Sequence, residues 1–477
     1  MIHFTKLIVF FLCLLGISSQ ILAQDIKFRG LDFDDDGYEK VLKKAKLTRS
    51  LDVLPIMSSL KKYAPYPKTQ GNHGTCTAWA TAYCGRTIVE AVKKEWTDRN
   101  FITENAYSPA FLFRMILPQD ANCKGGSAIS DAFDILKESG ALFYKDIPGL
   151  CTTSVDQAGL TKAGNEKIKD YLRLFDVTTT NKVKIEAVRK SISEKKPVVF
   201  GMTCPPSFFK VKELWEPIEE PLQSWGGHAL CVIGYDDEKF GGAFEIQNSW
   251  GTEWANSGYC WIKYEDFARF TRYAYEFVDL PVIKPEVPDL SGSIKLVLSD
   301  GNSMPANLFV STRGLGVVPA KTAPGPLTLY RMLQPYTSGT RFRIYISNNQ
   351  PAYVYAISTD LSNEITKIFP YEEGISAALT DKKSDVAIPD EDHYIEFDNK
   401  PGKDLLCVIY SRDELNINDL VQKISAEKGS FNEKIFKVLG DKIADPKNIN
   451  FSKDKIAFEG FSKGKSIVPM IVEMEHK

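Results

Sequence analysis

The strongest constraint on this 477-residue chain is a change of hydrophobic period inside one block, residues 57–280. The first half repeats at helical spacing. Thr77–Trp96 carries Ala80, Tyr83, Cys84, Thr87, Ile88 and Ala91 at intervals that put them on one face. Ser108-Pro109 opens a second helix through Met115, because proline suits a first helical turn. Gly125-Gly126-Ser127 leads into a third, Ala128–Ser139, closed by Gly140. The second half changes to short runs of β-formers between glycine and aspartate turns: Pro197–Met202, His228–Tyr235, Ala243–Asn248 and Gly258–Tyr264. Helices before strands predict an α+β fold with a helical and a β-rich subdomain and a groove between them.

The block is flanked on both sides. Residues 1–23 have the layout of a signal peptide: Lys6, an apolar run Leu7–Ile17, and cleavage near Ala23. Leu12 before Cys13 is not the small residue that lipidation at that cysteine calls for. The mature chain is therefore expected to be exported, periplasmic or extracellular, with no integral membrane segment. Residues 24–56 read as an arm or short pro-segment, with an Asp34–Gly37 turn, a helical pattern near Tyr38–Leu47, and no visible chemistry. Pro281, Pro285 and Pro288 mark a linker at 281–289. Residues 290–477 alternate mostly as strands, with a charged helical stretch at about 419–443.

Charge and cysteine usage remove several function classes. With 59 basic against 61 acidic residues, net charge -2, nothing favours nucleic acid or an anionic membrane surface. Of nine cysteines, Cys13 leaves with the signal, and export permits disulfides among the others. No CxxC pair and no Cys/His cluster has zinc spacing, so neither a metal nor another cofactor is expected.

The candidate nucleophile is Cys76, at the junction of a polar loop, Gln70–Thr75, and a helix. Unpaired N–H groups and the positive dipole end at a helix start favour thiolate over thiol. Gln70, six residues earlier, can offer an amide donor to an oxyanion. A cysteine nucleophile needs a base, and the chain has five histidines. His3 leaves with the signal, and His476 is one residue from the end. His393 lies in an acidic loop, Asp390–Asp392, and His73 is too close along the chain to fold back onto Cys76. His228 remains. It opens a β-pattern strand at a sheet rim, behind Gly226 and Gly227, which allow close approach of a backbone or ligand. Asn248, at the end of the next strand, can accept the imidazole N–H, and Trp250 can shield that bond from water.

Gln70, Cys76, His228 and Asn248-Ser249-Trp250-Gly251, together with Cys123-Lys124-Gly125-Gly126, resemble the motifs of the papain-like cysteine peptidases in order and spacing. The resemblance covers residues 57–280. It implies the papain-like two-subdomain fold, helical on one side and β-barrel-like on the other. It also implies peptide-bond hydrolysis through a Cys76–His228–Asn248 triad and a thioester intermediate. Gln70 and the Cys76 N–H would form the oxyanion hole. Trp250 would cover the triad, and Gly125, Gly126 and Gly227 would line the cleft for a polypeptide substrate.

The chain departs from that pattern in places. His73 stands where the family carries a cysteine paired with that of Cys-x-Gly-Gly. Cys123 is then free or re-paired, with Cys151 as a candidate partner. Thr77 replaces the tryptophan that commonly follows the nucleophile. No long helical prodomain precedes the block. Gly201 and Gly226 match the pocket walls and imply a roomy pocket for large apolar or aromatic side chains. Residues 290–477, through Gly339–Ile344, Tyr353–Ala356, Ile368–Pro370 and Leu405–Ser411, resemble a bacterial domain of unknown function, which implies an accessory role in an exported bacterial protein. Two other readings share the motifs: a non-hydrolytic peptide-binding relative, and an aminopeptidase or transpeptidase on the same triad.

Overall fold

The computed structural model describes residues 29–45, 54–152, 154–279, 287–309, 327–360, 362, 364–380 and 384–477. The expected signal peptide, most of the expected linker and the C-terminal part of the arm's helical pattern lie outside the described residues.

The first unit packs helices against one sheet. Its helices are α1 (Asp35–Lys40), α2, α3 (Arg99–Glu104), α4 (Pro109–Ile116), α5 (Ile129–Glu138), α6 (Gln157–Ala163), α7 (Asn181–Ser193) and α8 (Tyr264–Phe270). Local chemistry sets several starts. Asp34 accepts the Gly37 N–H at 2.9 Å, and Ser108 Oγ accepts the Phe111 N–H at 3.2 Å ahead of Pro109. Helix α2 begins as Cys76–Ala78, passes through a π-helical stretch, Trp79–Arg86, and ends as Thr87–Lys93. Every residue from Cys76 to Ile88 is buried, because α2 lies between the other helices and the sheet. Gly85 permits that approach: a Cβ there would lie 2.8 Å from Phe277 Cε2 and 2.9 Å from Val199 Cγ2. Inserted π-turns recur at functional sites.

The sheet consists of β1 (Met57–Ser59), β2 (Asp170–Arg173), β3 (Val198–Thr203), β4 (Leu214–Trp215), β5 (Gly227–Asp236), β6 (Ala243–Gln247), β7 (Tyr259–Lys263) and β8 (Thr271–Val278). Its order is β2-β8-β3-β5-β6-β7-β4, with β1 on β5, and the pairs are antiparallel except β4–β7. Central β5 is buried from Gly227 to Tyr235. The β5–β6 register sets Cys231 opposite Gln247, so the residue after β6, Asn248, comes level with Leu230, two residues along β5 from His228 and within reach of its side chain. The fold is α+β, helical on one side and β-rich on the other, as the change of period predicts. Helix α8 was missed: its seven residues follow β7 directly, too short a run to show a helical period against the strand before it.

The C-terminal region stacks a seven-stranded on a six-stranded sheet, among the described residues. Ile294, Leu296, Ile344 and Ile346 from one sheet and Val354, Val408, Tyr410 and Met470 from the other fill the space between them. The outer face of the larger sheet carries Tyr353, Tyr355, Ile357 and Ile409. It packs on helices Ile417–Ala426 and Phe431–Leu439 and on Leu172 and Val278 of the first unit. The expected single helical stretch is thus two helices, broken by a capping box of Ser430 and Glu433. Cys407 is a buried core residue of its strand.

Candidate active site

Cys76 opens α2, His228 is the second residue of β5, and Asn248 follows β6; all three are buried. The His228 Nε2–H donates to Asn248 Oδ1 at 2.8 Å, and the Ser249 N–H donates to the same oxygen at 2.7 Å. That tautomer leaves Nδ1 as the basic nitrogen, and it has no hydrogen-bond partner among the described residues. Trp250 stacks on the imidazole with centroids 4.5 Å apart and planes 20° apart, and Phe209 stacks on the other side of Trp250. The Ala229 N–H lies 3.5 Å from Cys76 Sγ, so the sulfur sits against the chain immediately after His228. Gln70 is fully buried. Its Oε1 accepts from Ser249 Oγ at 2.6 Å and its Nε2 donates to His73 O at 2.7 Å, which fixes the amide beside the Cys76 loop.

Sequence reasoning saw no chemistry in the arm, yet residues 29–33 run through the groove over the sulfur. The Gly30 N–H donates to Cys76 Sγ at 3.2 Å. The Leu31 N–H donates to Gly227 O at 3.3 Å. On the opposite wall the Ser127 N–H donates to Gly30 O at 3.0 Å, and Ser127 O accepts from Asp32 N–H at 3.1 Å. The Leu31 side chain is buried in one cluster with Ile129, Ala229 and Tyr273. A Cβ at Gly201 would lie 2.6 Å from Leu31 Cδ2, 3.1 Å from Ile129 Cδ1 and 3.3 Å from Tyr273 Cδ2. Arg29 donates to Cys204 O at 2.9 Å and lies over the Phe209 ring, beyond the sulfur on the other side. Nothing local in Arg29-Gly30-Leu31-Asp32 signals this placement, because the segment takes its conformation from the walls.

Burial governs the electrostatics. It pushes the Cys76 thiol up to about 11, although N–H groups of Ala229, Gly30, Thr77 and Cys76 itself all pull it down. The helix-start effect expected from the sequence is therefore present, but desolvation under the arm outweighs it. Burial also drives His228 down to about 4. The Asn248 bond opposes that shift and Arg29 reinforces it. Both shifts favour the neutral thiol and the neutral imidazole in this closed arrangement.

The remaining sequence candidates divide. Gly227 is at the cleft and bonds the arm. Gly126 faces the Asp32 side chain, whereas the Gly125 N–H donates to Asp120 Oδ2 at 2.6 Å. The backbone bonds to the arm come from the next residue, Ser127, which sequence reasoning passed over. Gly201 borders the Leu31 pocket, but Gly226, at φ 75°, faces Arg29 instead. Ile129 and Tyr273 narrow the pocket expected to be roomy. Cys123 is bonded to Cys151. His73 Nδ1 pairs with Asn122 O at 3.0 Å. Thr77 Oγ1 meets Ser127 Oγ at 2.6 Å. His393 is exposed beside Asp390, and His476 is buried against Phe397. No metal-binding group of side chains occurs among the described residues.

A buried cysteine and histidine at the junction of a helix and a sheet, beneath a bound extended segment, are an arrangement compatible with cysteine-protease chemistry. Residues 61–270 match the family model "Papain family cysteine protease", and residues 335–414 match "Domain of unknown function (DUF4384)". The match of residues 61–270 and relatives named as cysteine endopeptidase and cysteine protease support a hydrolase. It is 24% identical to an uncharacterized peptidase C1-like protein of Acanthamoeba polyphaga mimivirus, over 48% of this chain and 76% of that protein. It is 25% identical to a KDEL-tailed cysteine endopeptidase of Arabidopsis thaliana, over 42% of this chain and 50% of that protein. Among solved structures, xylellain, a cysteine protease from Xylella fastidiosa, aligns at 21% identity with a TM-score of 0.42, covering 55% of this chain and all of that one.

Proposed function

We propose that the chain is an exported endopeptidase whose own arm blocks its cleft. The observation that carries the reading is the arm itself. The groove holds an extended polypeptide by main-chain bonds to both walls, directly over Cys76 Sγ. With the arm displaced, water reaches Cys76 and His228, the desolvation penalty falls, and the thiolate–imidazolium pair becomes accessible. Cys76 attacks the substrate carbonyl carbon, and the Cys76 N–H and the Gln70 amide stabilise the oxyanion. The C–N bond breaks as His228 protonates the departing amine. Water then attacks the thioester with its proton passing to His228, and the C–S bond breaks to release the carboxylic acid product and the Cys76 thiolate, while Asn248 keeps Nε2 occupied and Nδ1 facing the reaction.

The arm escapes cleavage because of the way it lies. The Gly30 carbonyl is turned to Ser127, and an N–H, not a carbonyl carbon, faces the sulfur. The groove continues past Cys76 on both sides, from Arg29 to Phe33, which favours an endopeptidase over an aminopeptidase. The Leu31 pocket favours an aliphatic side chain of leucine size. The Cys123–Cys151 bond suits an oxidising compartment, and no helix among the described residues is long and apolar enough to cross a membrane. The proposed boundaries are 57–280 for the peptidase domain and 290–477 for a bacterial accessory domain. Labelling with a thiol-directed epoxide and cleavage-site profiling test the reading. Cys76→Ala is expected to abolish both; absence of labelling and cleavage in a chain with its arm displaced overturns the proposal.

A further inference from the structure

Gly30–Asp32 is only the end of the arm. The other end, Leu42–Ala45, lies between the two units and touches both. The Arg173 N–H donates to Leu42 O at 3.1 Å and the Lys44 N–H to Arg173 O at 2.9 Å, which adds the segment to the β2 edge of the peptidase sheet. On its other side the Lys43 N–H donates to Gly374 O at 2.7 Å, and the Ser376 N–H donates to Lys43 O at 2.9 Å. Two residues after Ser376, Ala378–Leu379 pairs with Tyr353 and Ala352 of the strand Ala352–Thr359, so the seam joins the larger C-terminal sheet. Ala45 is buried in the C-terminal core with Ile375, and Leu42 packs at the interface of the two units.

A buried charge fastens the same place. The Glu276 side chain is fully buried on β8. Its carboxylate accepts from Lys44 of the arm at 2.8 Å, from Ser191 at 2.5 Å and Lys196 at 3.3 Å of the peptidase unit, and from Thr380 of the C-terminal unit at 3.0 Å. Lys196 also donates to Thr380 Oγ1 at 2.7 Å. A carboxylate sealed from water needs its donors, so arm, peptidase and C-terminal unit are held in one arrangement. Between seam and cleft the arm is pinned by Tyr38, whose hydroxyl donates to Phe175 O at 2.6 Å, and by Asp35, bonded to Arg272 and Tyr273.

We propose that the C-terminal domain is the latch of the arm: by clamping Leu42–Ala45 through the 374–380 segment, it keeps Gly30–Asp32 seated over Cys76. This rests on the reading of the arm as an internal block. A change in the C-terminal domain that withdraws residues 374–380 then opens a cleft that the segment itself never touches.

The test uses full-length protein and the rate of Cys76 alkylation by an epoxide. Ser376→Pro removes the N–H that grips Lys43, and Thr380→Val removes the hydroxyl on Glu276 and Lys196. Gly30→Val expels the cleft segment directly. Each latch variant is expected to raise alkylation roughly 3- to 10-fold over wild type, the effect of one lost hydrogen bond on the open population. Thr380→Val combined with Gly30→Val is expected to match Gly30→Val alone. Should Ser376→Pro fail to fold, Thr380→Val carries the test. If Gly30→Val accelerates labelling and the latch variants do not, the latch is overturned and the block stands. Multiplicative effects in the double variant also overturn the latch. If Gly30→Val itself has no effect, the block reading falls.

Discussion

Gly30 and Cys76 stand 46 residues apart in the chain, and the N–H of the first donates to the Sγ of the second at 3.2 Å. That bond seals the sulfur from water, and it sets the behaviour expected of the intact chain.

Gly30 has no room for a side chain: a Cβ there would fall on the Gly74 carbonyl, which is backbone and cannot step aside. Gly30→Val is therefore expected to unseat the arm while leaving the fold of the peptidase unit intact. A steric conflict of about 1–3 kcal/mol corresponds to roughly 5- to 150-fold more open chain. Peptide cleavage by Gly30→Val beside wild type checks this; an unchanged rate counts against a blocking arm.

Acid should loosen the arm. His228 falls from its ordinary 6.5 to about 4 in the closed arrangement. Open or unfolded chains take up a proton between those values, so the closed form loses stability as pH drops from 6.5 toward 4. Cys76 rises from 9.0 to about 11, so its contribution is lost as pH climbs through that range. The arm sits tightest between the two windows. The ratio of wild-type to Gly30→Val alkylation is expected to rise from pH 7 to pH 5, and a flat ratio would contradict the shift of His228.

The Leu31 pocket should set specificity. Its walls are Ile129, Ala229 and Tyr273, with Gly201 beneath. Profiling of the Gly30→Val protein is expected to show leucine-sized aliphatic residues at one fixed position. Gly201→Val, made on the Gly30→Val protein, fills the pocket and is expected to lower kcat/KM for leucyl peptides about 10-fold or more, from an overpacking cost of roughly 1–3 kcal/mol. Equal turnover of peptides carrying leucine and arginine there would refute the assignment.

Thr77 stands next to the nucleophile and touches Ser127, which bonds the bound backbone on both its N–H and its C=O. Thr77→Val leaves the Ser127 hydroxyl without that partner, at a cost of about 1 kcal/mol. We expect a several-fold rise in KM with kcat nearly kept, and rescue by Thr77→Ser. A loss confined to kcat would place Thr77 in the chemistry instead.

The Cys123–Cys151 bond closes a separation of 28 residues, and Cys123 O accepts the Gly74 N–H at 2.8 Å beside the nucleophile loop. Cys123→Ala is expected to cost about 2–4 kcal/mol of stability. Thermal unfolding with and without reductant measures it; identical Tm values would show that the bond carries no stability.

Much of the site was legible because its motifs are local. Cys76 at a helix start, His228 at a strand start and Asn248 after the next strand are each marked by neighbours a few residues away. The helices opening at Cys76, Pro109 and Ile129 and the strands β3, β5, β6 and β7 follow from hydrophobic period, whereas the helix Asn181–Ser193 and the strand Thr271–Val278 were not read. The short strands Leu329–Met332, Ile365–Phe369 and Ala457–Gly460 were not read, since runs of four or five residues carry too little pattern.

By itself, then, the sequence determined the α+β order of elements, the family resemblance and the residues of the candidate triad. Tertiary structure alone decided what lies on that triad. Arg29–Phe33 has no period, cap or turn of its own; it is extended because Ser127 and Gly227 offer main-chain partners on two walls almost 100 and almost 200 residues downstream. The protonation of Cys76 and His228 was decided there too. The helix start favours thiolate, but burial beneath the arm costs the charged forms more, and that burial exists only once distant segments have packed together.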